Sequence, residues 1–212
     1  MVISIDGPAG AGKSTVARAV AERLGFTYLD SGAMYRCVAL AAIERGVDLD
    51  DPTETGKLAR SLAIEFGHGR VKLDGSDVSI AIREPRVSEA SSRVSVHPAV
   101  REAMVARQRQ LIEAGDYIAE GRDIGTVVSP DAPLKVFLTA TAEERARRRA
   151  EQTGENPEAV LAAQRERDDR DRSRRHSALE PATDAVEIDT TGLGLEQVVD
   201  RVVELAAGRG LA

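Results

Sequence analysis

The chain has 212 residues, with 29 Lys+Arg against 35 Asp+Glu for a formal charge of −6, 42% apolar residues and 3% aromatic. That apolar fraction supports one or two compact domains and excludes a disordered chain or a fibre. An acidic chain also repels a phosphate backbone, which argues against a nucleic-acid polymer as partner.

Within the basic residues the split is uneven: Lys13, Lys57, Lys72 and Lys135 are the four lysines and the other 25 are Arg. The planar fork of Arg grips phosphate in a bidentate way, so the excess fits polyanion chemistry. It fits a compositional habit of the source equally well, given the abundance of Ala, Val and Gly. The single Cys37 excludes an internal disulfide and a Cys-based metal site, and His68, His97 and His176 have no ligand spacing. No basic segment leads into an apolar one at the N-terminus and no apolar run is long enough to cross a bilayer, so the expectation is a soluble cytoplasmic protein without a membrane partner.

In chain order, Val2-Ile3-Ser4-Ile5 is short, β-branched and followed by glycines, which predicts a buried strand. From Lys13 to Leu24 apolar residues recur at helical spacing and stop at Gly25. A strand around Phe26 to Leu29 leads to a helix from about Gly32 to Arg45, closed by Gly46. Between Ile64 and Ile82 the pattern alternates through Ile64-Glu65-Phe66, Val71-Lys72-Leu73 and Val78-Ser79-Ile80, with Gly67, Gly69 and Gly75 between. This predicts a small antiparallel sheet.

Helix returns from about Val87 to Ala114 with an interruption at Pro98, and Tyr117-Ile118-Ala119 and Leu134 to Leu138 read as buried strands. Residues 143–175 carry 10 of the 25 arginines and nine acids around a Thr153-Gly154-Glu155-Asn156-Pro157 break, a charged helical hairpin. Ala185 to Asp189 is a last strand and Leu195 to Ala207 a last helix. Strands alternating with helices argue for an α/β fold with a parallel sheet, the antiparallel patch being inserted into one crossover.

Gly7-Pro8-Ala9-Gly10-Ala11-Gly12-Lys13-Ser14 matches G-x-x-x-x-G-K-[ST] between a predicted strand and a predicted helix. Such a loop, with Thr15 behind it, turns successive N–H groups and a helix N-terminus toward the phosphates of ATP. Lys13 supplies a point charge to the β and γ phosphates, and the Ser14 hydroxyl can hold Mg²⁺. A guanine-specific switch is excluded by the lack of an Asn-Lys-x-Asp element, since Asn156, the only asparagine, precedes Pro157. What remains is a small P-loop kinase. An acceptor that is itself a phosphate needs cations and positioning rather than a strong base.

Asp30-Ser31-Gly32-Ala33-Met34-Tyr35-Arg36 follows the second strand, with Ser31 and Tyr35 on one helical face. Glu120-Gly121-Arg122-Asp123-Ile124-Gly125-Thr126 follows a buried strand, at the carboxyl edge where open α/β sheets bind ligands. Arg167, Asp171 and Arg174 fall at i, i+4 and i+7.

With these motifs the sequence resembles the bacterial cytidylate kinases, the (d)CMP kinase branch of the nucleoside monophosphate kinases. The likeness also takes in Ala90-Ser91-Ser92-Arg93-Val94-Ser95, Pro98-Ala99-Val100-Arg101, Gln108-Arg109 and Arg167-Asp168-Asp169-Arg170-Asp171, and covers nearly the whole chain. It implies a three-layer α/β/α P-loop NTPase core at 1–60, 98–142 and 176–212, an acceptor-binding insert at about 61–97 and a lid at about 143–175. It implies transfer of the γ-phosphoryl group of ATP to CMP or dCMP, with Mg²⁺, by a monomer.

By matching positions, Lys13, Arg122 and Arg174 are the catalytic cations. Arg36, Arg122 and Arg174 hold the acceptor phosphate, with Ser31 and Tyr35 beside it. Ser92, Arg101 and Asp123 read the cytosine, and Arg167 with Asp171 the sugar hydroxyls. The N4 amino group of cytosine calls for a carboxylate, and the chemistry alone admits either Asp123 or Asp171.

The chain departs from the family pattern at Glu84 and Arg86, at Ser129 and at Ser177-Ala178-Leu179, and its lid is a few residues short, which leaves open the lid arginine that meets ATP. For Arg145, Arg147, Arg148 and Arg149 the competing expectation is a solvated face laced with Glu143, Glu144 and Glu151.

Overall fold

In the computed structural model, residues 1–67, 69–173 and 178–211 are described. They divide into two compact units, Met1–Asp30 with the chain from Arg109 onward, and Ser31–Gln108.

The first unit is built on a five-stranded sheet of β1 (Val2–Asp6), β2 (Thr27–Asp30), β6 (Tyr117–Gly121), β7 (Leu134–Thr139) and β8 (Val186–Asp189), in the order β2-β6-β1-β7-β8. Every neighbouring pair is parallel. All five residues of β1 are buried, as a central strand covered on both faces requires. Helices α1 (Lys13–Leu24) and α8 (Leu195–Ala207) pack on the sheet through Val16, Val20, Val198, Val199 and Val202, which share one apolar cluster with Ile3, Ile5, Ile118 and Leu138.

The register pairs Asp6 with Gly121 and sets both Ile5 and Asp30 against Glu120, so the three acids Asp6, Asp30 and Glu120 meet at one carboxyl edge. The hairpin of α6 (Ala142–Thr153) and α7 (Pro157–Arg172) belongs to this unit. Thr141 and Asn156 cap the two helices by accepting from Glu144 N and from Glu158 and Ala159 N, and Gly154 ends α6 in the left-handed region.

The second unit contains α2 (Ser31–Arg45), α3 (Pro52–Ser61), a three-stranded antiparallel sheet of β3 (Ile64–Gly67), β4 (Arg70–Leu73) and β5 (Ser76–Asp77), α4 (Pro85–Val94) and most of α5 (Pro98–Ile112). Helix α2 is buried nearly all round through Met34, Cys37, Val38, Leu40 and Ala41.

Two expectations are corrected here. The third strand of the small sheet lies at Ser76–Asp77 rather than Val78 to Ile80. The Asp77 carboxylate accepts from Ser79 N at 3.0 Å and from Ser79 Oγ at 2.6 Å, a turn that ends the strand and leaves Ile80 86% exposed. Helix α3, capped by Asp51 with Pro52 at its first position, lies where no element is predicted. Among the described residues no helix is long and apolar enough to cross a membrane.

Candidate active site

Strand β1 delivers the chain into Gly7, whose φ of 144° only glycine adopts easily. A Cβ there would stand 2.1 Å from the Leu138 carbonyl oxygen of β7. The loop ends at Gly12, which caps α1 in the left-handed region without a side-chain acceptor, and a helix N-terminus is favourable ground for an anion. Lys13, buried as the first residue of α1, folds back to donate from Nζ to Pro8 O at 2.7 Å.

Burial is the first cause that brings the Lys13 ammonium down to about 7, and the neighbouring charges of Arg122 and Arg167 push the same way, against Glu120 and Asp6. Ser14 and Thr15 are exposed. The Glu120 carboxylate, 3% exposed, accepts from Tyr28 OH at 2.5 Å and shares a hydrogen bond with Ser14. Burial and then the Asp30 charge raise it.

Beyond β6 the chain forms a π-turn over Ile124–Val128. Arg122 donates from Nε to Asp171 Oδ2 of α7 at 3.0 Å and from Nη1 to Gly121 O at 3.3 Å. Asp171 is 1% and Asp123 6% exposed. The Asp6 carboxylate accepts from Ile124 N at 2.9 Å and Gly125 N at 2.8 Å. Burial pushes the Asp6 carboxyl up to about 7, opposed by those two amides and aided by the charge of Asp123.

The hairpin closes on the phosphate loop through Arg145. Its Nη1 donates to Ala9 O at 2.9 Å, its Nε to Ala140 O at 3.2 Å and its Nη2 to Asp168 Oδ2 at 2.7 Å. Arg145 is 4% and Asp168 2% exposed, so this is a buried ion pair and not part of a solvated face. Arg147, by contrast, pairs with Glu144 and Glu151 on the outside, as the solvated reading has it. Arg148 joins Glu144 and also reaches Thr190 Oγ1 at 2.9 Å and Thr190 O at 2.6 Å.

In the second unit Ser31 opens α2, and Tyr35 and Arg36 follow one turn later, half-buried. The Arg101 guanidinium lies over the Tyr35 ring at 5.6 Å from its centre and donates to Ser95 O at 3.4 Å. Ser95 in turn donates to Ser92 O at 2.9 Å. Ser92 is 1% exposed and its hydroxyl has no partner among the described residues.

The structure therefore gathers Lys13, Ser14, Arg122, Asp123, Arg167 and Asp171 in the first unit and Tyr35, Ser92 and Arg101 in the second. Arg174 lies outside the described residues, as do His68, His176 and Ser177. His97 bonds Leu49 O at 2.8 Å and Cys37 is buried, in keeping with structural roles. Sequence reasoning gave no role to Asp6, Glu120 or Asp168 and left Arg145 between a ligand contact and a solvated face. The signal was available for Asp6 and Glu120, since each is an acid at the carboxyl end of an apolar strand.

A family model described as cytidylate kinase matches residues 3–208. A protein named cytidylate kinase from Solibacter usitatus (strain Ellin6076) is 48% identical over 216 residues, covering 99% of this chain and 93% of that one. Its namesake from Shewanella sediminis (strain HAW-EB3) is 49% identical over 210 residues, covering 94% and 91%. Among solved structures, an uncharacterised protein from Eubacterium ventriosum ATCC 27560 superposes with a TM-score of 0.59 at 12% identity, covering 98% of each chain. A sugar kinase from Janibacter sp. HTCC2649 gives 0.51 at 16% identity, covering 100% and 97%. These two share the fold with this chain.

Proposed function

The chain belongs to the cytidylate kinase family, and on that premise we propose how its residues move the γ-phosphoryl group of ATP onto CMP or dCMP, giving ADP and CDP or dCDP. The loop from Gly7 to Thr15 receives the triphosphate on its backbone N–H groups. Lys13 exchanges its bond to Pro8 O for phosphate oxygens, whose charge restores the ammonium that burial disfavours. The Ser14 hydroxyl and the Glu120 carboxylate, hard oxygen donors already joined by a hydrogen bond, would hold Mg²⁺, which would supply positive charge for the triphosphate.

Arg36, Arg122 and Arg174 hold the acceptor phosphate beside Ser31 and Tyr35. Arg122 and Arg174, with Lys13, meet the charge of the transferring group. No strong base is needed, because the attacking phosphate oxygen is already anionic.

Ser92, Arg101 and Asp123 read the cytosine, and Arg167 with Asp171 the sugar. The buried Ser92 hydroxyl supports this, since an unmet polar group of this kind costs about 1–3 kcal/mol until a ligand satisfies it. The Asp171 bond to Arg122 ties the sugar side of the site to the phosphate side. The α6–α7 hairpin acts as the lid that excludes water from the transfer.

The observation that carries the reading is the crowding of cations at the sheet edge: a buried P-loop lysine under the influence of Arg122 and Arg167 calls for a polyanion. ADP release is measured with CMP, dCMP, UMP and AMP as acceptors. CMP and dCMP are turned over well and AMP poorly; equal rates with AMP and CMP overturn the cytosine assignment. Lys13→Ala abolishes transfer, with kcat down by about a hundredfold or more, while CMP affinity measured by calorimetry stays near the wild-type value.

A further inference from the structure

We infer that Asp6 is a positioning residue: from the end of strand β1 it caps the π-turn after β6 and so fixes where Arg122 and Asp123 stand. An Asp at the N-cap ordinarily caps its own helix by accepting from the N–H groups two or three residues on. Asp123 occupies the N-cap of the Ile124–Val128 turn and makes no such cap. The two amides behind it, Ile124 N and Gly125 N, are met instead by both oxygens of Asp6, at 2.9 and 2.8 Å across 118 and 119 residues of sequence. The sheet register makes this possible, because Asp6 pairs with Gly121, the residue just before Arg122.

The other end of the turn is held as firmly. Arg109 donates to Val127 O at 2.6 Å and to Val128 O at 3.2 Å. The middle of the turn lies flat on the sheet, where a Cβ on Gly125 would stand 2.8 Å from Ser4 Oγ and 3.2 Å from Lys135 Cδ. A π-turn is an uncommon conformation that persists where its surroundings over-determine it. Here the strand that feeds the phosphate loop also sets the loop bearing the acceptor residues. Burying the Asp6 carboxylate beside Asp123 is unfavourable for Asp6, and the two amides, with the charge of Lys13, offset part of that cost.

The inference rests on the cytidylate kinase reading. A wild-type protein inactive on every nucleoside monophosphate overturns that reading, whereas an active wild type with an unaffected variant overturns only the role of Asp6. In Asp6→Asn the side chain keeps its size but sets an NH₂ against one of the two N–H donors. The expected result is kcat/KM for CMP lower by about tenfold or more, with KM for CMP raised and KM for ATP within about twofold of wild type.

Gly125→Ala displaces the same turn with Asp6 intact and gives the same split, and Ser4→Ala in that background recovers part of the loss. Unchanged kcat/KM for CMP in both single variants overturns the inference. So does a parallel rise of both KM values, which would assign Asp6 to the phosphate loop it precedes. If Asp6→Asn does not fold, the split or its absence in Gly125→Ala decides alone.

Discussion

Asp6 and Lys13 stand one at each end of the phosphate loop, and burial works against the charge of both. The Asp6 carboxyl is raised from its ordinary 3.8 to about 7, chiefly by burial, and Lys13 is lowered to about 7 by the same cause. The consequences for stability have opposite windows. Between about pH 4 and 7 the folded chain binds a proton at Asp6 that the unfolded chain has released, so the Asp6 contribution to stability falls as pH rises. Lys13 titrates on the other side, its burial cost being released only above about 7.

Denaturant unfolding of wild type and Asp6→Asn at a series of pH values from 4 to 7 reads chiefly the carboxyl, because Lys13, the cation that acts on Asp6, titrates above that window in the unfolded chain. The variant gains on the wild type as pH rises from 4 to 7, by up to roughly 4 kcal/mol. Parallel curves across the window would show that Asp6 is not held in its buried form. At this scale Lys13, Arg122 and Asp171 were legible because each belongs to a motif of fixed spacing. Asp6 showed only as an acid at the end of a strand, and what it holds did not show, because its partners lie 118 and 119 residues away and only the order of strands brings them together.

At the scale of elements, the α6–α7 hairpin shows what periodicity can and cannot say. Its two helices and the break between them follow from charge pattern, Gly154, the Asn156 cap and Pro157. Four arginines within five residues cannot all face α7, because successive residues point about 100° apart, and the sequence does not say which one enters the buried pair. It is Arg145, because Asp168 and the Ala9 and Ala140 carbonyls surround its guanidinium.

Removing one partner of a buried pair leaves an uncompensated charge and costs about 3–5 kcal/mol. An exposed pair such as Arg147 with Glu144 and Glu151 contributes at most about 1 kcal/mol. Asp168→Ala is therefore expected to lower the unfolding midpoint in denaturant strongly and to raise KM for ATP, since Arg145 also holds the Ala9 carbonyl of the phosphate loop. Arg147→Ala changes neither by a measurable amount. Similar losses in the two variants would mean that the hairpin is held by its helices alone. In the small sheet the alternation located the first two strands but not the third, because the Asp77 side chain competes with the ladder through Ser79 and ends the strand before Val78.

At the scale of the whole molecule, the excess of Arg over Lys divides by placement. Many arginines are spent on exposed pairs with nearby acids: Arg23 with Glu196 and Asp200, Arg70 with Asp77, Arg86 with Glu84. Those pairs are consistent with a compositional habit, and they cancel much of the outward positive field of a chain whose net charge is −6. Among the described residues the sheltered cations include Lys13, Arg101, Arg122, Lys135 and Arg145.

Charges so placed are screened by salt much less than exposed ones, whereas an attraction between open surfaces fades once the Debye length falls from about 10 Å at 0.1 M to about 3 Å at 1 M. A mononucleotide bound in a sheltered site should then show shallow salt dependence. KM for CMP is expected to change by less than about threefold between 0.1 and 0.5 M NaCl. A nucleic-acid polymer, which binds by neutralising many phosphates on an open face, should not be retained at 0.15 M. Steady-state kinetics across the salt series and filter retention of labelled RNA and single-stranded DNA read both. A steep fall in affinity for CMP, or retention of either polymer, would mean that the exposed arginines carry a field the acidic residues do not cancel.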